Sequence, residues 1–367
     1  MKRIFSYTIS AKYNNCTLIS FLKESGYSSQ VITHLKRTEN GILLNKTWAR
    51  VRDILHTDDI LTITLEEKTS SENIVASPLP LHIVYEDEDL MVINKPADMP
   101  IHPSQGNYDN TLANAVAYYY AQKGEPFTYR CINRLDRDTT GLLILAKHMY
   151  SASLLSDMVK NRKIHREYLA VAEGKTPSSG VIDAPIGRVD GSTIERQVDY
   201  EQGDYACTHY KRLCYKNGYS LVSLTLKTGR THQIRVHMKH IGHPLPGDFL
   251  YNPNYHVIKR QALHSHCLSF EHPITKEPLT FSSPLPDDMA IFSIIQIRRQ
   301  SIDCLPTIFL IFLYVKTSST NKFPQKRIRR NIFTSHTNKI VQKLQQTFRF
   351  HIFLAVFLNS KQNRFRI

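Results

Sequence analysis

Glycine runs out early in this chain of 367 residues. All 14 glycines lie at or before Gly247, so the turns and helix stops that need it are built upstream. Acid is nearly missing from residues 298–367, which hold 14 Lys+Arg against one carboxylate, Asp303. Of the formal net charge of +15, that stretch carries +13, leaving 33 basic and 31 acidic groups for the other 297 residues. The near-neutral body excludes a general basic field, and a polyanion would have to be met by local patches. The six cysteines (Cys16, Cys131, Cys207, Cys214, Cys267, Cys304) form no Cys-x-x-Cys pair and no cluster. A disulfide framework and a zinc ribbon are thereby disfavoured, and reduced thiols in a cytoplasmic protein are expected. The longest apolar run, Ile308 to Val315, has eight residues, far short of the roughly 20 that a membrane helix requires. Residues 1–20 hold no apolar core of the signal-peptide kind.

What is present divides into four stretches. Residues 1–66 read as a small α/β unit. Leu18, Phe21 and Leu22 share a helical face that Gly26 can end, and Ser28 or Ser29 can cap a second helix carrying Val31, Ile32 and Leu35. Two short strands follow, at residues 41–45 and 60–65. Residues 67–80 are rich in Ser, Thr, Glu and Pro without periodicity and read as a linker. Residues 81–290 alternate short apolar runs with few helical patterns, with strands expected at 81–85, 90–93, 127–132, 142–146, 168–172, 208–215 and 220–226. Strands outnumbering helices favour an α+β domain with a mainly antiparallel mixed sheet. Residues 291–367 form a basic tail with isolated apolar patches. It is expected to be poorly ordered or weakly packed and dispensable for any activity. A lengthened reading frame would leave such a tail, and an electrostatic arm is the other reading.

The densest chemistry lies in Arg134-Leu135-Asp136-Arg137-Asp138-Thr139-Thr140-Gly141, a polar connection between two apolar runs. Guanidiniums on either side give Asp136 a cationic setting, and an oriented carboxylate can act as nucleophile or base. An ion-paired structural loop explains the same residues. His232, His237, His240 and His243 crowd one segment, but no cysteine or carboxylate among them completes a usual zinc site. They read as structural or as facing a bound polyanion, and no metal is assigned.

This loop resembles the signature of the RluA-type pseudouridine synthases, and further blocks follow that family in register. They are residues 83–96 with His102-Pro103, residues 166–170 with Gly174, Thr228 to His237, residues 242–248, and Leu263-His264 before Phe270 to Pro273. Departures are Asn133 where the family usually has His, Thr140 for Ser, and Asp98 for Gly. Residues 1–66 resemble the S-four-type RNA-binding domain often joined to these enzymes, with Lys46 in place of a turn glycine.

The resemblance implies an isomerase that converts specific uridines of structured RNA to pseudouridine, without cofactor or metal and as a monomer. Large-subunit ribosomal RNA is the favoured substrate. Transfer RNA and a catalytically inactive RNA-binding protein of the same fold are the alternatives. It assigns the catalytic carboxylate to Asp136, base contact or proton transfer to Tyr168, and pairing with the carboxylate to Arg230. Arg134 would fill the gap left by the flipped base. Lys23, Lys36 and Arg37 are candidates for phosphate contact. By its spacing, Thr231 reads as the N-cap of the helix after Arg230.

Overall fold

The computed structural model describes residues 1–292; the basic tail expected from residue 291 lies almost wholly outside the described residues. The N-terminal unit is a four-stranded sheet against two helices, in chain order β1 (Lys2–Thr8), α1 (Leu18–Glu24), α2 (Ser29–Arg37), β2 (Ile42–Leu44), β3 (Thr47–Trp48) and β4 (Ile60–Glu66). The sheet order is β1-β4-β2-β3. The Thr17 and Ser28 side chains cap the two helices by accepting from the Ser20 and Val31 amides. Along β4, Leu61, Ile63 and Leu65 alternate inward onto Leu18, Leu22, Val31 and Leu35. Strand β1 gives little sign of itself in the sequence, because Phe5 is its one fully buried residue and Ile4 faces out. Asn45 and Lys46 both take positive φ, 51° and 67°, so the tight β2–β3 turn forms without the glycine that usually serves it.

Residues 67–80 contain no helix or strand, yet they do not hang free. Glu67 is buried and accepts hydrogen bonds from Arg130 and from the Met149 amide, and the Asn114 side chain donates to the Val75 carbonyl. Arg3 grips both carboxylate oxygens of Asp89 at 3.0 Å, and Tyr27 stacks on Tyr150 with centroids 3.8 Å apart. The small unit is thus seated on the larger one.

The larger part is α+β, with a nine-stranded sheet. Its elements are β5 (Ile83–Glu86), β6 (Leu90–Lys95), α3 (Leu112–Lys123), β7 (Thr140–Ala146), α4 (Met149–Lys160), β8 (His165–Glu173), β9 (Ser179–Asp183), β10 (Ile186–Arg188), β11 (Arg196–Val198), β12 (Cys207–Lys216), β13 (Tyr219–Leu226), α5 (Gln233–His240), β14 (Leu263–Glu271) and β15 (Pro278–Ser282). The order is β5-β6-β7-β14-β8-β13-β12-β9, with β15 on β14 and β10 paired with β11 apart from it. Every pairing is antiparallel except β7 with β14. Both faces of the centre are covered. Met91, Ile93, Leu143 and Leu145 meet α3 and α5, while Leu90, Val92, Leu142 and Ile144 meet α4. Burial on both faces accounts for the unbroken apolar run of β7.

The parallel pairing is two residues long, His264 with Thr140 and Ser265 with Gly141. Gly141 has φ 108°, and a Cβ there would collide with the Ser265 backbone, so the close approach depends on glycine. Beyond it β14 diverges, and residues 130–132 take its place beside β7 through the Ile132 amide and the Arg130 carbonyl. The strand expected over 127–132 is therefore reduced to a single bridge, Cys131 with Leu145.

Candidate active site

The connection from that bridge into β7 is held from both sides. Leu135 is buried in the main core, and the buried Asn133 side chain accepts the Ile144 amide. This alternation turns the intervening Arg134 and the following Asp136 away from the core. The far end is pinned by the Gln261 side chain donating to Thr139 Oγ1 and by Thr140 Oγ1 meeting His264 Nδ1 at 2.8 Å. Beneath the loop, the fully buried Lys95 donates to the carbonyls of Pro96 and Arg137, both at 2.7 Å. Burial pushes the Lys95 ammonium down to about 7, with Asp138 and Asp136 opposing the shift. Asp98, where a turn glycine is usual, takes φ 54°.

Asp136 is 28% exposed at its side chain and is gripped from one side only. Its Oδ2 accepts from Arg235 NH1 at 2.8 Å, and His232 Nε2 stands 3.9 Å from the same oxygen. Arg235 is 1% exposed and gives its Nε and NH2 to the two oxygens of the buried Asp248, both at 2.7 Å. Asp248 is fixed in turn by the Leu250 and Tyr251 amides. Burial works against the Arg235 charge, but the bonds to Asp248 and Asp136 outweigh it and hold the group above the ordinary arginine range. Burial lowers His232, against the pull of Asp136, so an uncharged imidazole faces the carboxylate near neutral pH. The Tyr251 hydroxyl accepts the Arg196 amide and is hydrogen-bonded to His232 Nδ1 at 2.9 Å. The array aims one carboxylate oxygen and leaves the other without a protein hydrogen bond among the described residues.

The comparisons with known proteins concern this same stretch. Residues 89–240 match the RNA pseudouridylate synthase family. An uncharacterized RNA pseudouridine synthase of Bacillus subtilis (strain 168), YjbO, is 41% identical over 75% of this chain and 97% of its own length. The chain belongs to the RNA pseudouridine synthases. A second B. subtilis (strain 168) protein of that description, YhcT, is 37% identical over 77% of this chain and 93% of its length. The ribosomal large subunit pseudouridine synthase D of Vibrio cholerae serotype O1 is 38% identical over 68% of this chain and 80% of its length. Among solved structures, human RNA Pseudouridylate Synthase Domain Containing 1 aligns with TM-score 0.48 and 28% identity, over 56% of this chain and 83% of that one.

For a pseudouridine synthase, an isomerase, the placement of each residue named from sequence matters. Arg230 does not pair with Asp136. Its Nε donates to the Tyr205 carbonyl and its NH1 meets Asp204 at 3.2 Å, in an exposed position. The reason lies in how α5 starts. Thr231 is not the N-cap; His232 is, in the left-handed region at φ 58° and with no side-chain cap bond. Gln233 Oε1 takes the Arg230 amide instead, which leaves Arg230 outside the helix and carries Arg235 inward. The motif held two arginines, and Asp248, 13 residues beyond the second, was the signal for choosing it.

The arginines flanking Asp136 do not pair with it either. Arg137 bonds Asp138 at 3.0 Å, and Arg134 reaches Thr231 Oγ1 at 3.3 Å with no ion pair among the described residues. Tyr168 lies on β8 between Leu224 and Ser265, in the apolar cluster that includes Leu135 and Ile234, the neighbours of Asp136 and Arg235. At 4% exposure it offers a ligand little more than an edge. The histidines disperse: His237 bonds Thr208 and the Ala184 carbonyl, and His243 the Glu173 carbonyl. Among the described residues, the one grouping with metal-ligand spacing is Asp87, Asp89 and His272. There Asp89 is already occupied by Arg3 and His148. Lys23, Lys36 and Arg37 are exposed on the N-terminal unit.

Proposed function

We propose that this pseudouridine synthase acts on uridines of large-subunit ribosomal RNA, with Asp136 as the reacting carboxylate. The observation that carries the reading is Asp136 itself, partly open and aimed by a buried arginine that a second carboxylate holds from behind. Isomerisation breaks the bond from the ribose anomeric carbon to N1 of uracil, turns the base and rejoins it through C5. The C5 hydrogen leaves and N1 gains a proton, so composition is unchanged. Asp136 can attack the anomeric carbon or remove a ribose proton; both need a charged oxygen held against the sugar. Arg235 steadies that charge without spending its own on the substrate. Arg134, on the same loop and in no ion pair among the described residues, supports the role of filling the stack when the uridine is extruded, and Tyr168 borders the base site.

The ribosomal assignment draws on the relatives called ribosomal large subunit pseudouridine synthase D, 38–41% identical in V. cholerae, V. parahaemolyticus and Haemophilus influenzae. Residues 1–66 are assigned RNA binding through Lys23, Lys36 and Arg37, residues 81–290 catalysis. The free thiols of Cys16, Cys131, Cys207, Cys214 and Cys267 support a reducing, cytoplasmic setting, and no helix among the described residues is long and apolar enough to cross a membrane. The test is to map pseudouridines in total RNA from cells with and without the gene. Sites lost from large-subunit ribosomal RNA are expected. Losses confined to transfer RNA would overturn the substrate, and no loss from either would overturn the reading as a whole.

A further inference from the structure

Phe249 stands out in the loop that holds Arg235. Residues 245–248 and Tyr251 are buried, yet Phe249 is 44% exposed. The exposure is imposed by the backbone. Gly247 has φ 72°, and a Cβ on it would collide with the Arg260 carbonyl. Its amide donates to the Asn254 carbonyl at 2.9 Å, and the Asn252 amide returns to the Asp248 carbonyl at 2.8 Å. With Asp248 Oδ1 accepting from Leu250 and Tyr251, the loop has little freedom to fold the ring away. Exposure of one ring means little by itself, and what surrounds this one decides its use.

Its neighbours supply one. The Phe249 ring centroid lies 5.5 Å from the guanidinium carbon of Arg235 and 5.8 Å from that of Arg137. Arg235 is the group bonded to Asp136, so the ring is one guanidinium removed from the reacting carboxylate. Arg137 is half exposed, and Arg134 on the same loop carries no ion pair among the described residues. An exposed aromatic face in a cationic setting is what an unstacked RNA base packs on, with the cations answering the phosphates.

We propose that Phe249 is a positioning residue for substrate RNA, stacking on an unpaired base next to the reacting uridine. The inference rests on the chain being an RNA pseudouridine synthase. A neighbouring base is assigned because the reacting ribose must approach Asp136 itself, whereas the ring meets that carboxylate through Arg235. Stacking of this kind acts in the bound ground state and the transition state alike, so it lowers KM and leaves kcat in place.

The test is the initial rate of tritium release from total RNA of cells lacking the gene, labelled at uracil C5, as RNA concentration is varied. Phe249→Ala and Phe249→Leu are expected to raise KM about tenfold, in the range measured for base–aromatic stacking, with kcat within about twofold. Phe249→Tyr and Phe249→Trp are expected to keep the original KM. The leucine variant preserves an apolar group of similar reach, so it answers the question even if alanine disturbs the loop. Leucine with unchanged KM would overturn the proposal. So would a fall in kcat at constant KM, which would show the ring merely supporting Arg235. Wild-type enzyme releasing no tritium would be a different failure, that of the activity itself.

Discussion

The charges around Asp136 and those of the N-terminal unit are held in opposite ways. Asp136, Arg235 and Asp248 form a chain of bonds of 2.7–2.8 Å in which the central guanidinium is almost fully buried. Lys23, Lys36 and Arg37 are exposed, and no ion pair holds any of them among the described residues. The first arrangement fixes one carboxylate oxygen at a desolvation cost that only good geometry and full hydrogen bonding repay. The second leaves long, solvated cations free, as their proposed role on a phosphate backbone of varying path requires. The proposed chemistry and the proposed grip on RNA fall in regions of different stiffness.

The sharpest way to break this contrast is at its centre. Asp136→Asn is expected to cut tritium release from C5-labelled RNA by about 10³-fold or more, with RNA affinity within a few fold by filter binding. Asp138→Asn, whose carboxylate is tied to Arg137, should stay active. Residual turnover near wild type in Asp136→Asn would remove the carboxylate from the reaction.

The two arginines of the α5 motif come next. Truncating Arg235 to Met leaves Asp248 buried without its partner, a loss of about 3–5 kcal/mol in urea unfolding. Arg235→Lys keeps a charge but not the fork, and misplacement of Asp136 is expected to lower kcat about 100-fold. Arg230→Ala should stay within about threefold of wild type. Equal losses at both positions would mean that the clasp does not set the carboxylate.

Acid stability offers a third comparison. His264, buried where β7 and β14 meet, has its pKa pushed by burial from the usual 6.5 down to about 4. The unfolded chain therefore binds a proton between those values that the folded chain refuses. Stability from this group is complete above about pH 6.5 and is lost as pH falls toward 4. The loss is on the order of 3 kcal/mol. His264→Gln should flatten that limb of unfolding midpoint against pH, and an unchanged limb would assign it to other groups.

The smallest effect belongs to the exposed cations. Replacing Lys23, Lys36 and Arg37 together by Ala is expected to weaken RNA binding severalfold. Each phosphate that these side chains no longer neutralise should reduce the slope of log affinity against log salt by about one, with kcat at saturating RNA unchanged. An unaltered slope would show that they do not touch the backbone.

Much of this was legible along the chain. The Arg134 to Gly141 loop, the strands β6, β7, β8, β12 and β13, and both N-terminal helices are local patterns, readable because neighbouring residues specify them. Helices α3 and α4 were less so. Helix α3 buries Leu112, Ala113, Asn114, Ala115, Val116 and Tyr120 around much of its girth, so it shows no clear apolar stripe. Strand β1 hides because just one of its seven residues is fully buried.

What the sequence determined by itself was the family, the carboxylate proposed to react and the kind of partner proposed for it, a nearby cation. Which cation it receives was decided only by the tertiary structure. Arg230 and Arg235 are equivalent as residues in one motif. They diverge because a left-handed His232 starts the helix late, and because the buried Asp248 arrives from a separate loop to receive the second guanidinium. A charge can be buried only where the whole fold brings its counter-charge, and no run of neighbouring residues encodes that meeting.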